Sequence, residues 1–120
     1  MPKKKILIFD DDEAILEVIQ IILIDSGFDI EISKTSHDIL ERVSVFLPDL
    51  ILMDNQIPDI GGVAAIKLLK DNGEFKNIPV LLISASNHIA SLQNDCEAED
   101  HIKKPFDLDE LVSTINRYVL

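Results

Sequence analysis

Three runs of four apolar residues stand out along the chain, and each is followed or closed by a polar residue. They span residues 6–9, 50–53 and 80–83. The runs are continuous rather than alternating, which is typical of parallel strands that are buried on both faces. The polar residues at their carboxyl ends, Asp10, Asp54 and Ser84, would therefore meet at one edge of a parallel sheet.

The segment from Asp12 to Ser26 has the spacing of an amphipathic helix. Its predicted inner face contains five apolar residues, Ile15, Val18, Ile19, Ile22 and Leu23. Three further apolar residues fall on the side that this pattern leaves to solvent, namely Leu16, Ile21 and Ile24. Gly27 suits the left-handed conformation that commonly ends a helix.

The remaining segments continue the alternation of strand and helix. A short strand is predicted over residues 29–33, and a second helix starts near Asp38 and runs to Leu47, where Pro48 closes it. A third helix follows Gly61-Gly62, and a weaker fourth carries Ile89, Leu92 and Cys96. A last helix opens at Asp107, with Glu110 at the spacing of a capping box. This order predicts an α/β doubly wound fold, a five-stranded parallel sheet with helices on both faces.

Length and charge narrow the class of protein. The 120 residues predict a single domain, 1–120, without a linker. The formal net charge of −11 argues against nucleic-acid binding, since phosphate backbones recruit basic residues. We expect no membrane segment. The single cysteine, Cys96, cannot form an internal disulfide, which fits a cytoplasmic protein.

The strand-end residues predict a site for a divalent cation and a phosphoryl group. Carboxylates from Asp10, Asp11 and Asp54 would face one another, and like charges about 4 Å apart repel by roughly 4 kcal/mol at an effective dielectric near 20. Such repulsion favours a bound cation, and Mg²⁺ (or Mn²⁺) prefers oxygen ligands of this kind. Lys104 and Ser84 can pair with phosphoryl oxygens, and Asp54 can act as the nucleophile that forms an acyl phosphate.

Four motifs resemble the receiver domain of two-component response regulators, of the chemotaxis-regulator type, over essentially the whole chain. They are ILIFDDDEAI at the first predicted strand, LILMDNQIPDIGG around Asp54, LLISAS at Ser84 and IKKPF at Lys104. The resemblance implies a flavodoxin-like fold with strand order 2-1-3-4-5. It also implies phosphorylation-controlled signalling, in which the domain catalyses its own aspartyl phosphorylation and slow dephosphorylation without being a conventional turnover enzyme.

The resemblance also implies roles for individual residues. Asp54 would accept the phosphoryl group, assisted by Ser84 and Lys104. Asp11 and Asp54 would bind the metal directly, Asp10 through water, and Gln56 through its backbone carbonyl. Lys104 would precede a cis peptide bond to Pro105.

Two positions depart from the family pattern. His101 stands where the family usually has Tyr or Phe, the switch residue that turns inward together with Ser84. A histidine can move similarly, but it is polar and titrates near neutrality. Glu97 stands where a glycine commonly ends the fourth helix, so strain is expected there. Both departures concern the output surface rather than the chemistry.

The expected partners are proteins. The phosphoryl donor would be a histidine kinase or a histidine-phosphotransfer protein, docking on Leu16, Ile21 and Ile24. A downstream protein target would read the fourth helix, fifth strand and last helix. We expect no output domain and a monomer or weak dimer.

Three alternatives remain open. A haloacid-dehalogenase-type phosphatase would use Asp10 as nucleophile within its Asp-x-Asp sequence. A pseudo-receiver would keep the fold and bind partners without phosphorylation. A flavodoxin would need a phosphate-binding loop after the first strand, where this chain has carboxylates.

Overall fold

The computed structural model describes residues 3–119, along which five strands alternate with five helices. The strands are β1 (Lys5–Phe9), β2 (Asp29–Ser33), β3 (Leu50–Asp54), β4 (Val80–Ser84) and β5 (Asp100–Lys103). The helices are α1 (Glu13–Asp25), α2 (Ile39–Phe46), α3 (Gly62–Lys70), α4 (Ile89–Cys96) and α5 (Leu108–Val119). The predicted alternation of elements is confirmed.

The strands form one parallel sheet in the order β2-β1-β3-β4-β5, which confirms the predicted fold class. The register places strand ends side by side: Phe9 pairs with Met53, and Ser84 pairs with Lys103. The residues that follow β1 and β5 therefore emerge at the same edge as the last residues of β3 and β4. This edge carries the polar residues that the sequence singled out.

Two apolar clusters cover the two faces of the sheet. One joins Leu7 and Phe9 of β1 to helices α2, α3 and α4. The other joins Ile6 and Ile8 of the same strand to α1 and α5. The sheet thus has three helices on one face and two on the other. Among residues 3–119, none of the helices is long and apolar enough to cross a lipid bilayer.

The orientation of α1 corrects the prediction for its inner face. Leu16 is only 3% exposed, whereas Val18 is 45% exposed. The buried stripe consists of Leu16, Ile19 and Leu23, spaced as one helix face. Val18 precedes Ile19 by one residue and is therefore rotated from it by about 100°. The surplus of apolar residues allowed two phases of the helix, and packing against the sheet selects this one.

Helix ends differ in how they are capped. The Asp12 carboxylate accepts hydrogen bonds from the Ala14 and Ile15 amides at 3.1 and 3.3 Å, which caps α1. The predicted cap of α5 is present, since Asp107 accepts from the Glu110 amide at 2.7 Å. The predicted second helix was one residue too long, because α2 ends at Phe46. The next residue, Leu47, has a left-handed backbone conformation, and its side chain is exposed.

Candidate functional site

Four strand ends build the site from separate parts of the chain. Asp10 follows β1, Asp54 ends β3, Ser84 ends β4 and Lys104 follows β5. Backbone hydrogen bonds continue the sheet beyond its last pairs: the Asp10 amide donates to the Ser33 carbonyl at 3.1 Å, and the Lys104 amide donates to the Ser84 carbonyl at 2.8 Å. The functional side chains are therefore anchored to rigid strands.

Three carboxylates converge at this edge. Asp10, Asp11 and Asp54 each offer an oxygen, and these oxygens all lie within 4.8 Å of one another. Asp10 and Asp54 are buried, whereas Asp11 is exposed. Asp10 Oδ1 accepts a hydrogen bond from the Asp12 amide at 2.9 Å. Among the described residues, Asp10 Oδ2 is the buried side-chain oxygen that has no hydrogen-bond partner.

Burial and charge act together on the pKa of Asp10. Removal of the carboxylate from water raises this pKa above its ordinary value of 3.8, and the negative charge of Asp54 raises it further. The hydrogen bond from the Asp12 amide acts in the opposite direction but does not compensate. Asp10 is therefore a buried carboxyl whose ionised form is poorly matched by its surroundings.

Lys104 supplies the positive charge opposite these carboxylates. Its Nζ lies 2.9 Å from Asp54 Oδ1 and 3.6 Å from Asp10 Oδ2. Burial lowers the pKa of Lys104, but the hydrogen bond to Asp54 and the charges of both carboxylates outweigh it, so the pKa is raised above 10.5. The remaining Asp54 oxygen, Oδ2, accepts from the backbone amide of Gln56 at 3.1 Å. One ammonium faces three carboxylates.

The donor set fits a hard divalent cation. Carboxylate oxygens are the ligands that Mg²⁺ and Ca²⁺ prefer, and Mg²⁺ usually takes only one or two of them with waters and phosphate oxygens. The observation that favours a cation here is the buried Asp10 Oδ2, which has no hydrogen-bond partner and lies 3.6 Å from the Lys104 ammonium, because a buried charge that is incompletely matched is costly. The resemblance of the sequence motifs implies a Mg²⁺ site of this composition, and the cluster of Asp10, Asp11 and Asp54 is present.

Ser84 is buried beside this pocket. Its Oγ accepts a hydrogen bond from the Ser86 amide at 3.0 Å, so the hydroxyl proton is available to another acceptor. The loop continues with the His88 amide donating to Ser86 Oγ at 3.0 Å. These two bonds connect β4 to the start of α4. A change in the hydrogen-bond partner of Ser84 would therefore affect the start of α4 through these two hydrogen bonds.

His101 lies on β5 and is partly buried against α4. Its Nδ1 is in hydrogen-bonding contact with Oε1 of Gln93. The Gln93 Nε2 group donates to the Ala98 carbonyl at 3.2 Å, which orients the amide so that Oε1 faces the histidine. Nδ1 of His101 must therefore carry a hydrogen. No sequence pattern pointed to this pair, whose members lie eight positions apart on different elements.

The structure places the three predicted docking residues differently. Ile21 and Ile24 are 64% and 56% exposed, as expected. Leu16 is buried, so its inclusion in an exposed patch was wrong. A separate apolar groove of about 440 Å³ lies on the other side of α1. Ile15 and Val18 line it together with Lys104, Pro105 and Phe106. Sequence reasoning missed this groove because the loop after β5 forms half of it.

Glu97 and the peptide bond before Pro105 have the conformations that the sequence suggested. Glu97 ends α4 in the left-handed region, with φ of 63°. The Lys104–Pro105 bond is cis. Both features lie at ends of β5 or α4, next to the elements that carry His101 and Gln93.

Comparison with known proteins identifies the family. The response regulator receiver domain family matches residues 6–116. The transcriptional regulatory protein CrdR of Helicobacter pylori is 34% identical over 118 residues, which are 97% of this chain and 55% of CrdR. The chain thus spans about half the length of the curated relatives of this type. The polar-differentiation response regulator DivK of Brucella anthropi is 31% identical, covering 99% of this chain and 98% of DivK.

Solved structures agree with the sequence relatives. A putative response regulator from Chloroflexus aurantiacus superposes with a TM-score of 0.92 at 25% identity, covering 98% of both chains. The chemotaxis response regulator CheY4 of Vibrio cholerae has a TM-score of 0.89 at 23% identity, covering 99% of this chain and 100% of CheY4, and supports the fold. The chain therefore belongs to the response regulator receiver domains, the phosphorylation-activated domains of two-component systems.

Proposed function

We propose that this chain accepts a phosphoryl group on Asp54 from a phosphohistidine of a histidine kinase or a histidine-phosphotransfer protein. The proposal rests on the position of Asp54 between the ammonium of Lys104 and the carboxylates of the acidic cluster. Lys104 Nζ lies 2.9 Å from Asp54 Oδ1, and the unpartnered Oδ2 of Asp10 belongs to the same acidic cluster. The ammonium that would pair with phosphoryl oxygens thus lies next to the carboxylates that would bind a metal ion.

The reaction breaks the phosphorus–nitrogen bond of the donor and forms a bond between phosphorus and a carboxylate oxygen of Asp54. The imidazole leaves with the electron pair, and Lys104 pairs with the transferred oxygens. Asp10, Asp11, Asp54 and the carbonyl of Gln56 would hold Mg²⁺ (or Mn²⁺), which supplies positive charge for the phosphoryl group. The same residues would serve slow hydrolysis of the acyl phosphate.

Thermal melts with Mg²⁺ and beryllofluoride, a mimic of the acyl phosphate, test this function. We expect a large rise in Tm for the wild type, because a ligand that binds only the folded state stabilises it by mass action. Asp54→Asn should lose the beryllofluoride effect. A wild type that melts identically with and without both additives would favour the pseudo-receiver. Turnover of a generic phosphate ester would instead favour the phosphatase.

Phosphorylation would reach the output surface through Ser84 and His101. The new phosphoryl oxygens would accept a hydrogen bond from the Ser84 hydroxyl, and the movement of Ser84 toward them would break its present bond from the Ser86 amide. We propose that His101 then leaves Gln93 and turns toward the space beside Ser84, which changes the surface formed by α4, β5 and α5. A downstream protein target would distinguish the two surfaces.

The switch is testable by NMR on the beryllofluoride form. Ser84→Ala should bind beryllofluoride while losing most of the chemical-shift changes in α4 and β5. His101→Phe should keep them, because an aromatic ring can make the same movement. Ser113→Ala, exposed on α5, is the matched serine control. Full shift changes in Ser84→Ala would refute this route.

The phosphoryl donor would dock in the apolar groove of Ile15, Val18, Pro105 and Phe106 rather than on the patch predicted from sequence. This groove includes Lys104, so a helix seated there would bring its phosphohistidine next to Asp54. With a histidine kinase that phosphorylates the wild type, Val18→Lys should slow transfer by about tenfold. Phosphoramidate, a small donor that needs no docking, should react at the wild-type rate. Equal slowing with both donors would contradict docking.

We further propose that residues 1–120 form one receiver domain, which acts in the cytoplasm with its donor as a monomer or weak dimer. Proteins, not nucleic acid, would be its direct partners, in keeping with the net charge of −11. Sedimentation of the chain with and without beryllofluoride measures its oligomeric state in both forms.

A further inference from the structure

A second groove lies on the opposite side of α1 from the one proposed for the donor. It has a volume of about 770 Å³ and runs between α1 and the edge strand β2. Leu16 and Ile32 contribute apolar surface to it, and Ile21 and Ile24 of α1 stand at its side, 64% and 56% exposed. We call it the α1–β2 groove. Neither Asp54 nor Lys104 lines it.

The layer structure explains why this groove exists. Only α1 and α5 cover this face of the five-stranded sheet, whereas three helices cover the other. Strand β2 is the outermost strand beside α1, and its Ile30 and Ile32 remain only partly buried. Helices that pack on one sheet face lie 8–10 Å from one another, so a further helix beside α1 would lie over β2 and this groove. An added helix would complete the layer and cover these side chains.

The charges around the groove select the kind of helix. Glu13, Glu17 and Asp25 line it, and among residues 3–119 Lys34 is the one cation in its lining. Lys34 is already paired with Glu13 at 2.6 Å, which leaves Glu17 and Asp25 as unmatched anions. The whole chain is also strongly acidic, with a net charge of −11. A basic helix is therefore attracted and an acidic one repelled.

We propose that the α1–β2 groove binds a basic amphipathic helix of a partner protein. Its apolar stripe would pack on Ile21, Ile24 and Ile32, and its flanking Lys or Arg side chains would meet Glu17 and Asp25. The donor groove lies on the other side of α1, where Val18 points. The two surfaces can be occupied together, so such a partner can bind the receiver without blocking access to Asp54.

The first experiment is an NMR titration of the full chain with a synthetic helical peptide of leucine and lysine that has one leucine stripe. We expect chemical-shift changes confined to α1 and β2. A charge-reversed peptide, with glutamate replacing each lysine, should cause none. Shift changes spread over the acidic surface, equal binding of the reversed peptide, or no binding of the basic peptide would each overturn the proposal.

Two matched variants sharpen the test. Ile24→Lys should weaken binding of the peptide by about tenfold or more, because it removes apolar contact and adds a repelling charge. Val45→Lys makes the same type of change at an exposed position of α2, on the other face of the sheet, and should leave binding unchanged. Beryllofluoride should raise the Tm of both variants as in the wild type, which shows that the fold and the Asp54 site are intact. Equal weakening by both substitutions would contradict a site in the α1–β2 groove.

Sedimentation separates a partner helix from a second copy of this chain. We expect no concentration-dependent dimer that Ile24→Lys dissociates. Such a dimer would show that the groove is filled by another copy, and the proposal of a basic partner helix would fall.

Discussion

Gly62 lies directly against the backbone of Asp54. A Cβ atom built on Gly62 would be 2.3 Å from the Asp54 carbonyl oxygen and 2.8 Å from the Asn55 Cα. The Gly62 amide also donates to the Asn55 carbonyl at 3.1 Å, so α3 starts in contact with the loop that follows Asp54. The absence of a side chain at Gly62 is therefore part of how Asp54 is positioned.

Gly62→Ala should destabilise the fold by about 2 kcal/mol, since the contact is with backbone that has to shift. Urea denaturation measures the change in the free energy of unfolding. Gly73→Ala is the matched control, because its added Cβ would meet nothing within 4 Å. We expect that control to lie within about 0.5 kcal/mol of the wild type. Equal stability of both variants would contradict the close packing of α3 on Asp54.

Asp10→Asn should raise stability at neutral pH in the absence of Mg²⁺, by about 1 kcal/mol. The substitution removes a buried charge that repels Asp54 and has an unpartnered oxygen. The stabilising effect of Mg²⁺ on Tm should shrink in the same variant. Asp29→Asn, at the exposed start of β2, is the control and should change neither quantity.

The gain from Asp10→Asn should also depend on pH in a defined direction. The pKa of Asp10 is raised in the folded protein above 3.8, so the unfolded chain loses this proton first as pH rises. The wild type therefore loses stability relative to the variant as pH increases above 3.8, until the folded group is also ionised. Melts in a pH series without Mg²⁺ measure this difference. A gap that narrows with rising pH would refute the assignment.

Glu97→Gly should stabilise the protein by up to about 1 kcal/mol. A left-handed conformation costs a residue with a Cβ roughly 1–2 kcal/mol, which glycine avoids. Glycine also raises the conformational entropy of the unfolded chain, and this cancels part of the stabilisation. Glu97 has φ of 63°, and its amide donates to the Gln93 carbonyl as the C-cap of α4. Glu97→Ala removes the same charge but keeps the strained conformation, so it should show no such gain in chemical denaturation.

Lys70 and Glu99 should be strongly coupled. The Lys70 ammonium is almost fully buried and donates to both Glu99 carboxylate oxygens, at 2.7 and 2.8 Å, and to the Ile78 carbonyl at 3.0 Å. Glu99 also accepts from the Val80 amide at 2.7 Å. Lys70→Met leaves these acceptors without their cation and should cost about 1–2 kcal/mol, because the Glu99 side chain is 32% exposed and water can partly replace the lysine.

A double-mutant cycle of Lys70→Met with Glu99→Gln measures the coupling, which we expect to exceed about 1 kcal/mol. Lys34→Met with Glu13→Gln is the matched cycle at the surface. That pair is joined at 2.6 Å but both side chains are exposed, so water and salt screen it. A surface coupling as large as that of Lys70 and Glu99 would contradict the role given to burial of the lysine.

The fold and the candidate site were accessible from the sequence for the same reason. Continuous apolar runs predicted buried parallel strands, and parallel strands carry the residues after them to one edge. Asp10, Asp54 and Ser84 could thus be placed together although 44 residues separate the first two. Lys104 followed from the motif at the fifth strand, where apolar patterning is weaker.

The predictions failed where more than one arrangement satisfied the local pattern. Helix α1 has so many apolar residues that periodicity allowed either Leu16 or Val18 on its inner face. The choice depends on how the helix lies across the sheet, and it decides which side chains form the two grooves. The end of α2 was different, since Pro48 disfavours a helical conformation at the residue before it and the prediction still included Leu47.

The amino-acid sequence alone therefore determined the order of elements, the parallel sheet and the acidic site. Strands buried on both faces appear as continuous apolar runs, amphipathic helices appear as a helical period, and parallel strands bring the residues that follow them to one edge. The tertiary structure alone decided the side-chain contacts between elements that are not predicted from the pattern of either element. The His101–Gln93 pair, the ion pair of Lys70 and Glu99, and the α1–β2 groove all join separate elements. Their formation depends on the packing angles and distances between those elements, which no single segment specifies.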